Sequence, residues 1–493
     1  MVLRTKRGKD NEIIKYKARW VVKGFRQIEG VNFDQTYAGV CKNTTWKLAI
    51  ALAAKLDLEI HQMDVVGAFL NADADTDIFV QVPPDWNDFR ADLANVDKSQ
   101  SKVEMTEPLD WCCKLLKALY GLKQAPRLWQ KNLSNALRQL DFEYCASDQC
   151  AYINKRTQIL IITYVDDMLI IGPDIAEVKV LKTKLANRYD MEDLGEAAYF
   201  LGVRITRNRA EGTITLCQDA YVTKILARYG MEDCHIVDSP MAAGAAEFMV
   251  PYEGSASVRT IKSYGSKIGS LMYLAVQTRA DITYETSTLS RFLSNPSPQH
   301  VKAADRVLCY LRGTKHRAIQ YSRFQREQAL STALKGYCDS DFAGDKEGRK
   351  SVSGVVYIFA GGAISHSSNR QATVAQSSTE AEYYALSKAV SEGLWVRQIL
   401  SQMMYTGDDL DQIQLYGDNQ GALALGENPT LHQRTKHIDV KHHFLREHIE
   451  SGTIQLNYLQ TDRMVADGLT KPLTPALHAR FVKQLGLVDL LRK

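Results

Sequence analysis

The segment ILIITYVDDMLIIG, residues 159–172, constrains the fold most strongly because it places Asp166 and Asp167 between two apolar, β-branched runs. The pattern predicts two strands joined by a tight turn at the aspartates. The flanks indicate that this hairpin is buried on at least one side. Aspartate favours turns, so the pair alone is weak evidence of a site. Its meaning depends on which other carboxylates the chain brings to it.

A third aspartate, Asp64, is predicted near the end of a strand. The segment KNTTWKLAIALAAKLDLEI has apolar residues at helical spacing, and IHQMDVVGAFLN then changes to a strand-like pattern. Asp64, Asp166 and Asp167 could together bind divalent cations through hard oxygen ligands. Two such ions can activate a primer hydroxyl and stabilise the leaving pyrophosphate, which is the reaction that a polymerase performs.

A second set of four acids comes from four predicted elements in the C-terminal part of the chain: Asp339, Glu382, Asp418 and Asp467. Each acid alone also fits a structural role. Thr379 with Glu382 matches a capping box, and Ser377 with Glu380 matches it equally well. Four acids beside apolar strands would repel one another, which favours a cation site.

Length and composition indicate a globular protein of two or more domains. The 493 residues exceed what one core usually serves, and 45% hydrophobic with 24% charged residues are ordinary proportions. The net charge of +4 does not by itself indicate a polyanionic partner. Nine cysteines without a CxxC pair favour a reducing compartment over a disulfide framework. Neither a signal peptide nor a membrane span is predicted.

Two basic stretches could contact phosphates. MVLRTKRGKD and KYKARWVVKGFR carry cations at alternating positions, which suits a phosphate-binding strand and, equally, an exposed edge strand. GLKQAPRLW presents Lys123, Gln124 and Arg127 around a proline. This loop could contact a nucleotide, or it could only cap the following helix.

Changes of pattern predict an α+β multidomain protein. Residues 176–195 are predicted to be helical, and residues 197–218 to form a hairpin that turns at Glu211 and Gly212. Residues 241–257, rich in Ala, Gly and Ser, are the best linker candidate. Helical patterns cover residues 262–312, and a separate α/β unit of strands and a long helix begins at Leu334.

Eleven motifs in order give the chain a resemblance to a known family, among them HQMDVVGAFLN, LLKALYGLKQAPRLW, YVDDMLIIG, CDSDFAGD, SSTEAEYYAL and ADGLTKPL. The chain resembles the reverse transcriptase and RNase H portion of Ty1/copia-type retrotransposon polyproteins over nearly its whole length. The resemblance implies a right-hand polymerase with partial fingers, palm and thumb at 1–245. It further implies a connection region at 246–330, an RNase H-like α/β domain at 331–475 and a C-terminal tail at 476–493.

The resemblance also implies roles for individual residues near the hairpin. Asp64 matches the first palm aspartate, and Asp166 and Asp167 match the pair in the Y-x-D-D motif. The other matches concern nucleotide binding. Phe69 matches a steric gate against the 2′-hydroxyl, Gln124 matches a position near the incoming nucleotide, and Arg19 or Lys17 matches a fingers residue on the triphosphate.

In the C-terminal unit, Asp339, Glu382, Asp418 and Asp467 match the metal-binding acids of RNase H. Glu382 is preferred over Glu380, which is the alternative, because Glu382 and Ala385 give the E-x-x-A spacing. The implied cofactor is Mg²⁺, two ions per site, with Mn²⁺ as a substitute. The implied partners are an RNA template, a DNA or tRNA primer, RNA–DNA hybrid, deoxynucleoside triphosphates, and the capsid and integrase of the parent element, with no membrane.

Some features depart from the family pattern. The chain resembles the family from the middle of the fingers onward, His366 stands where an aromatic residue is usual, and FLNADADTDIFV lacks the usual Gly after Asn. Two alternatives to an active polymerase with RNase H therefore stay open: an inactive truncated relic that only binds nucleic acid, and an RNase H acting alone. The family pattern implies cytoplasmic virus-like particles, with later delivery to the nucleus.

Overall fold

The computed structural model describes residues 1–7, 13–81, 112–323, 334–403, 412–427 and 439–491. Within these ranges the chain is a mixed α/β protein with eleven α-helices, three larger sheets and two two-stranded sheets. The mixture agrees with the predicted α+β class.

The strands are β1 (Val2–Arg7), β2 (Ile13–Arg19), β3 (Glu59–Val65), β4 (Phe79–Gln81), β5 (Cys112–Lys114), β6 (Glu143–Cys145), β7 (Asp148–Asn154), β8 (Ile159–Tyr164), β9 (Asp167–Gly172), β10 (Met191–Glu196), β11 (Tyr199–Phe200), β12 (Val203–Asn208), β13 (Thr213–Cys217), β14 (Arg317–Ser322), β15 (Lys335–Ser340), β16 (Val352–Phe359), β17 (Gly362–Arg370), β18 (Ile413–Gly417), β19 (Ile454–Tyr458) and β20 (Leu487–Asp489). The helices are α1 (Asn43–Leu56), α2 (Ala125–Arg138), α3 (Ile175–Ala186), α4 (Asp219–Tyr229), α5 (Val258–Gln277), α6 (Thr283–Ser290), α7 (Pro298–Gly313), α8 (Ser378–Met403), α9 (Gln420–Glu427), α10 (Asp439–Glu450) and α11 (Pro475–Gln484).

The first sheet contains the predicted hairpin and has the antiparallel order β10-β3-β9-β8-β7-β6. Successive side chains of a strand point to opposite faces. Ile161 and Ile170 pack with residues of α2 and α3, whereas Ile162 and Leu169 pack with residues of α1. The hairpin is therefore buried on both faces, which explains why its flanks are apolar without alternation.

Helix α1 joins this sheet to the rest of the molecule. Residues 45–55 of α1 are all buried, as expected for a helix that is apolar on every side. The helix contacts β3 and β9 of the first sheet, and also β13, β14, β17 and α8. Lys47 is enclosed here and donates a 2.8 Å hydrogen bond to the carbonyl of Val276. The first sheet and the C-terminal sheet therefore share one hydrophobic core.

The second sheet combines distant parts of the chain in the antiparallel order β11-β12-β13-β14-β20. The hairpin predicted at Glu211 and Gly212 is confirmed as β12 and β13. The predicted boundary at 245/246 separates β13 from β14, although the two strands are paired. In the predicted C-terminal tail, α11 covers Pro475–Gln484 and β20 pairs with β14. Backbone pairing between remote segments is invisible to local sequence patterns.

Helices α4 to α7 pack together beside the second sheet. The loop before α6 contains a buried ion pair in which Arg279 Nε and Nη2 each donate 2.9 Å hydrogen bonds to the carboxylate of Asp281. Tyr310 donates a further hydrogen bond of 2.6 Å to Asp281. No helix in the described ranges has both the length and the apolar character that crossing a bilayer requires.

The third sheet has the order β17-β16-β15-β18-β19. Strands β15, β16 and β17 are antiparallel neighbours, whereas β18 is parallel to β15 and β19 is parallel to β18. The long helix α8 packs on β15 and β16. His366 on β17 is partly buried and places Nε2 2.8 Å from the carbonyl oxygen of Ala275, so this departure from the family pattern links the third sheet to α5.

One predicted helix was too long. The pattern over residues 176–195 predicts a single helix, but α3 ends at Ala186 and Met191–Glu196 form strand β10. The strand pairs with β3 on the edge of the first sheet. Its sequence MEDLGE has little strand propensity, so the free edge of β3 decides its conformation.

Candidate active sites

The first acid cluster, Asp64, Asp166 and Asp167, lies where β3 meets the β8–β9 hairpin. Asp64 and Asp167 are direct partners across the antiparallel pair β3 and β9. Asp166 lies in the two-residue turn between β8 and β9, and its carbonyl accepts a 3.0 Å hydrogen bond from the N–H of Val65. The structure therefore brings the three predicted carboxylates to one end of the first sheet.

The electrostatics of this cluster reflect crowding of like charges. Partial burial, followed by the charges of Asp166 and Asp167, raises the pKa of Asp64 to about 6. Burial and the neighbouring Asp166 raise the pKa of Asp167, while a 3.4 Å hydrogen bond from Gln62 opposes this shift. The positive charge of Lys17 acts in the opposite direction and lowers the pKa of Asp64, so Lys17 lies close enough to interact with this carboxylate. A divalent cation would relieve the remaining repulsion.

Two predicted nucleotide-binding residues, Arg19 and Phe69, lie around Tyr120. The guanidinium carbon of Arg19 is 5.3 Å from the centre of the Tyr120 ring. Phe69 contacts the same ring edge-on, with the two ring centres 5.1 Å apart. The carbonyl of Tyr120 accepts a 2.8 Å hydrogen bond from the N–H of Val22, which ties the segment after β2 to this ring. Tyr120 was not predicted as a site residue, although it lies in the motif LLKALYGLKQAPRLW.

Gln124 is fully buried rather than presented to solvent. Its Nε2 donates a 2.8 Å hydrogen bond to the carbonyl of Asn32, and its Oε1 accepts one of 2.9 Å from Gln27. The amide thus crosslinks two segments of protein. A direct contact with a nucleotide would require these hydrogen bonds to break.

The second acid cluster, Asp339, Glu382, Asp418 and Asp467, lies on the third sheet. Asp339 is on β15, Glu382 in the second turn of α8, and Asp418 directly after β18. One carboxylate oxygen from each of these three residues lies within 4.8 Å of the others, and this is the only such acidic or His/Cys group of three in the described residues. Asp467 lies in a 3-10 turn, Val465–Leu469, and interacts electrostatically with Asp339.

The second cluster is more deeply buried than the first. Burial, followed by Asp339 and Asp418, raises the pKa of Glu382 to about 9. Burial and Asp467 raise the pKa of Asp339 to about 7. The Oδ1 atom of Asp467 is buried without a hydrogen-bond partner, although its Oδ2 is 3.0 Å from Lys471 Nζ. A buried acceptor without a donor beside close carboxylate oxygens is the arrangement that a hard divalent cation fits.

The structure separates the roles of Glu380 and Glu382. Glu380 accepts a 2.7 Å hydrogen bond from the N–H of Gln376, and its own N–H donates to Ser377 Oγ at 3.1 Å. These bonds cap the start of α8. The bond to Ser377 Oγ is the one that the capping-box alternative predicts, whereas the Glu380 carboxylate accepts from Gln376 and not from Ser377. Glu382 instead accepts a 3.1 Å hydrogen bond from the N–H of Ser340, next to Asp339.

Sequence reasoning missed several residues beside the two clusters. Glu192 on β10 is the register partner of Asp64 and raises its pKa. Thr470 donates a hydrogen bond to Asp339 Oδ2, and Lys471 forms an ion pair with Asp467. The motif ADGLTKPL contains both Thr470 and Lys471 and could have indicated them. No sequence signal indicated Glu192, because its position depends on the unexpected strand β10.

The fold and the two clusters define a mixed α/β protein with two separate groups of acidic residues, of which Asp339, Glu382 and Asp418 bring their carboxylate oxygens within 4.8 Å of one another. Residues 2–243 match the family described as reverse transcriptase (RNA-dependent DNA polymerase). The chain is 36% identical over 476 residues to the Retrovirus-related Pol polyprotein from transposon TNT 1-94 of Nicotiana tabacum, which covers 95% of this chain and 34% of the relative. It is 33% identical over 485 residues to the corresponding polyprotein from transposon RE1 of Arabidopsis thaliana, covering 98% of this chain and 31% of the relative.

A shorter relative is matched over its whole length. The putative transposon Ty5-1 protein of Saccharomyces cerevisiae is 31% identical over 333 residues, which is 67% of this chain and 100% of that protein. The chain belongs to the Ty1/copia-type retrotransposon Pol polyprotein family and carries its reverse transcriptase domain. It spans about a third of the length of the two plant relatives.

Proposed function

We propose that the chain is an RNA-directed DNA polymerase with ribonuclease H activity from a retrotransposon. The observation that carries this proposal is the register pairing of Asp64 with Asp167, next to Asp166, within a domain of the reverse transcriptase family. Three carboxylates at one sheet end suit phosphoryl transfer with divalent cations. The inactive relic is less well supported, because neither acid cluster has lost a member.

The polymerase reaction is assigned to the first acid cluster. Asp64, Asp166 and Asp167 would hold the ions, and Mg²⁺ or Mn²⁺ bound there would supply positive charge to the primer hydroxyl and the leaving pyrophosphate. Arg19 and Lys17 would bind the triphosphate of the deoxynucleotide. Phe69, held against Tyr120, would exclude a 2′-hydroxyl. Gln124 would act indirectly, by holding the segments that contain Gln27 and Asn32.

The RNase H reaction is assigned to the second acid cluster on the third sheet. The sheet order, with three antiparallel strands followed by two parallel ones, and the acids on β15, on α8 and after β18 support an RNase H-like domain. Asp339, Glu382, Asp418 and Asp467 would hold the ions. Lys471 and Thr470 would hold the carboxylates of Asp467 and Asp339 in place.

The partners follow from these assignments. They are an RNA template, a DNA or tRNA primer, their hybrid and deoxynucleoside triphosphates, with the capsid and integrase of a parent element as protein partners.

The cations of β1 and β2, Arg4, Lys15 and Lys17 among them, would contact nucleic-acid phosphates, so primer-template affinity should fall steeply as salt rises. A flat salt response would exclude that contact. We place the reaction in cytoplasmic particles, with nuclear delivery of the DNA.

The test uses the purified 493-residue chain, an RNA template annealed to a labelled DNA primer, Mg²⁺ and four deoxynucleotides. Asp166→Asn should abolish primer extension and spare RNA cleavage, and Asp339→Asn should do the reverse. Asp233→Asn, at an exposed ion pair with Arg312, is the matched control and should change neither activity.

The outcomes separate the hypotheses. Extension that persists in Asp166→Asn would refute the assignment of the first cluster. RNA cleavage without any extension by the unmodified chain would favour an RNase H acting alone. Absence of both activities from well-folded protein would favour the nucleic-acid-binding relic.

A further inference from the structure

Helix α2 links several segments of the first half of the chain through polar side chains. Gln130 accepts a 3.0 Å hydrogen bond from the N–H of Gly39. Asn132 donates one of 3.3 Å to the carbonyl of Asn71, which ends the 3-10 turn that contains Phe69. The sequence of the GLKQAPRLW motif, which precedes and enters α2, is compatible with a nucleotide contact and with a loop that only caps the helix. Within this motif, Gln124 donates a hydrogen bond to the carbonyl of Asn32, and Trp129 donates one to the carbonyl of Val165.

Trp129 makes the contact that bears on the first acid cluster. Its indole N–H donates a 2.6 Å hydrogen bond to the carbonyl of Val165, which is the first residue of the turn before Asp166. Val165 has a φ of 59°, in the left-handed region. A β-branched residue is unfavourable in that region, and glycine is the usual occupant. The turn therefore requires support from outside the hairpin.

We propose that Trp129 is a positioning residue that holds the Val165–Asp166 turn and thereby sets the directions of the Asp166 and Asp167 carboxylates. The indole fixes the carbonyl of the residue that adopts the unfavourable φ. Asp166 follows that peptide, and Asp167 begins β9 immediately after it. Rotation of the turn would move both carboxylates relative to Asp64 on the neighbouring strand. The inference rests on the proposed polymerase function of the first acid cluster.

The surroundings of Trp129 suit such a support. Its side chain is 2% exposed. Tyr189 packs edge-on against the indole with the ring centres 5.3 Å apart, and its hydroxyl donates a 2.7 Å hydrogen bond to Asn132 Oδ1. The indole therefore has neighbours that fix its orientation. Helix α2 thus contacts the Val165–Asp166 turn through Trp129. It also contacts Asn71, at the end of the 3-10 turn that contains Phe69, through Asn132.

Trp129→Phe in the full chain removes the N–H donor and keeps an aromatic ring. We expect kcat of primer extension to fall about 10- to 100-fold, with KM for deoxynucleotide changed by no more than about twofold. The Mg²⁺ concentration that gives half-maximal extension should rise and Tm should fall modestly, because a buried side chain becomes smaller and loses its hydrogen bond, while RNA cleavage stays unchanged. Trp395→Phe is the matched control, because its indole also donates to a backbone carbonyl, that of Ser147 at 3.2 Å. Extension by the control should match that of the unmodified chain.

Two outcomes would overturn the proposal. One is extension by Trp129→Phe at the unmodified rate with the same Mg²⁺ midpoint. The other is an equal loss of extension, RNA cleavage and thermal stability, which would mean a merely structural role. Adding Val165→Gly to Trp129→Phe removes the penalty of the positive φ and should restore part of the lost rate. A double variant as slow as Trp129→Phe would contradict the part of the proposal that concerns backbone strain.

Failure of the proposed function would be recognised separately, because the unmodified chain would then extend no primer. In that case Mn²⁺ binding would be titrated by calorimetry in an Asp339→Asn background, which weakens the second cluster. Weaker Mn²⁺ binding after Trp129→Phe would support positioning of the carboxylates. Identical binding isotherms would overturn it.

Discussion

The N–H of Ser340 donates a 3.1 Å hydrogen bond to Oε1 of Glu382, and this contact directs the Glu382 carboxylate towards Asp339. Glu380, one of the two candidates left open by the sequence, caps α8 instead. Glu382→Gln should therefore reduce RNA cleavage by at least about 100-fold, because it removes a proposed cation ligand. Glu380→Gln is the matched variant on the same helix and should retain cleavage. Equal losses in a cleavage assay on RNA–DNA hybrid would mean that the assignment is wrong.

Substitution of Phe69 should change sugar selection. Phe69→Val shortens the side chain that packs against Tyr120 and opens space for a 2′-hydroxyl. We expect the ratio of kcat/KM for ribonucleotides to that for deoxynucleotides to rise about 10-fold or more. Single-nucleotide incorporation assays would measure it. Leu70→Val, at the exposed neighbouring position, should leave the ratio unchanged, and an unchanged ratio in Phe69→Val would exclude the gate.

Glu285 should make stability depend on pH. Burial raises its pKa from 4.5 to about 8, and Oε2 is buried without a hydrogen-bond partner. The folded state therefore keeps a proton that the unfolded state loses between these values. Stability falls as pH rises through this window, by about 1.4 kcal/mol per pH unit for one proton.

Glu285→Gln removes this titration, so the fall in Tm from pH 5 to pH 8 should be smaller in the variant than in the unmodified chain. Differential scanning calorimetry at several pH values would measure it. Glu253→Gln, at an exposed position, should reproduce the unmodified curve. Parallel curves for all three proteins would show that Glu285 does not titrate in this range.

Asp281→Asn should strongly destabilise the protein. The substitution leaves the buried Arg279 guanidinium without its anionic partner. Burial alone would raise the Asp281 pKa, but Arg279 and Arg317 outweigh burial and hold the pKa below its usual range. Breaking such a pair typically costs about 3–5 kcal/mol. Urea unfolding would measure the loss, and Asp233→Asn at the exposed pair with Arg312 should cause no measurable change.

Local patterns predicted the elements that carry most of the acids. Three predicted elements are present in the structure. They are the hairpin around Asp166 and Asp167, the strand that carries Asp64 and the long helix that contains Glu382. Each of these elements has a strong period or a continuous apolar run, so burial of its own residues is sufficient to define it. The resemblance to the Ty1/copia-type family then assigned these elements to a family, and the comparisons with known proteins confirm that family.

The sequence by itself therefore determined the mixed α/β class, the family and the candidate acids. Only the tertiary structure decided that Met191–Glu196 pair with β3, that Gln124 is enclosed, that Trp129 supports the Val165 turn and that β20 completes the second sheet. The physical reason is the same in each case. These contacts join residues that are far apart in the chain, and their free energy depends on which edge, carbonyl or cavity the rest of the fold leaves available.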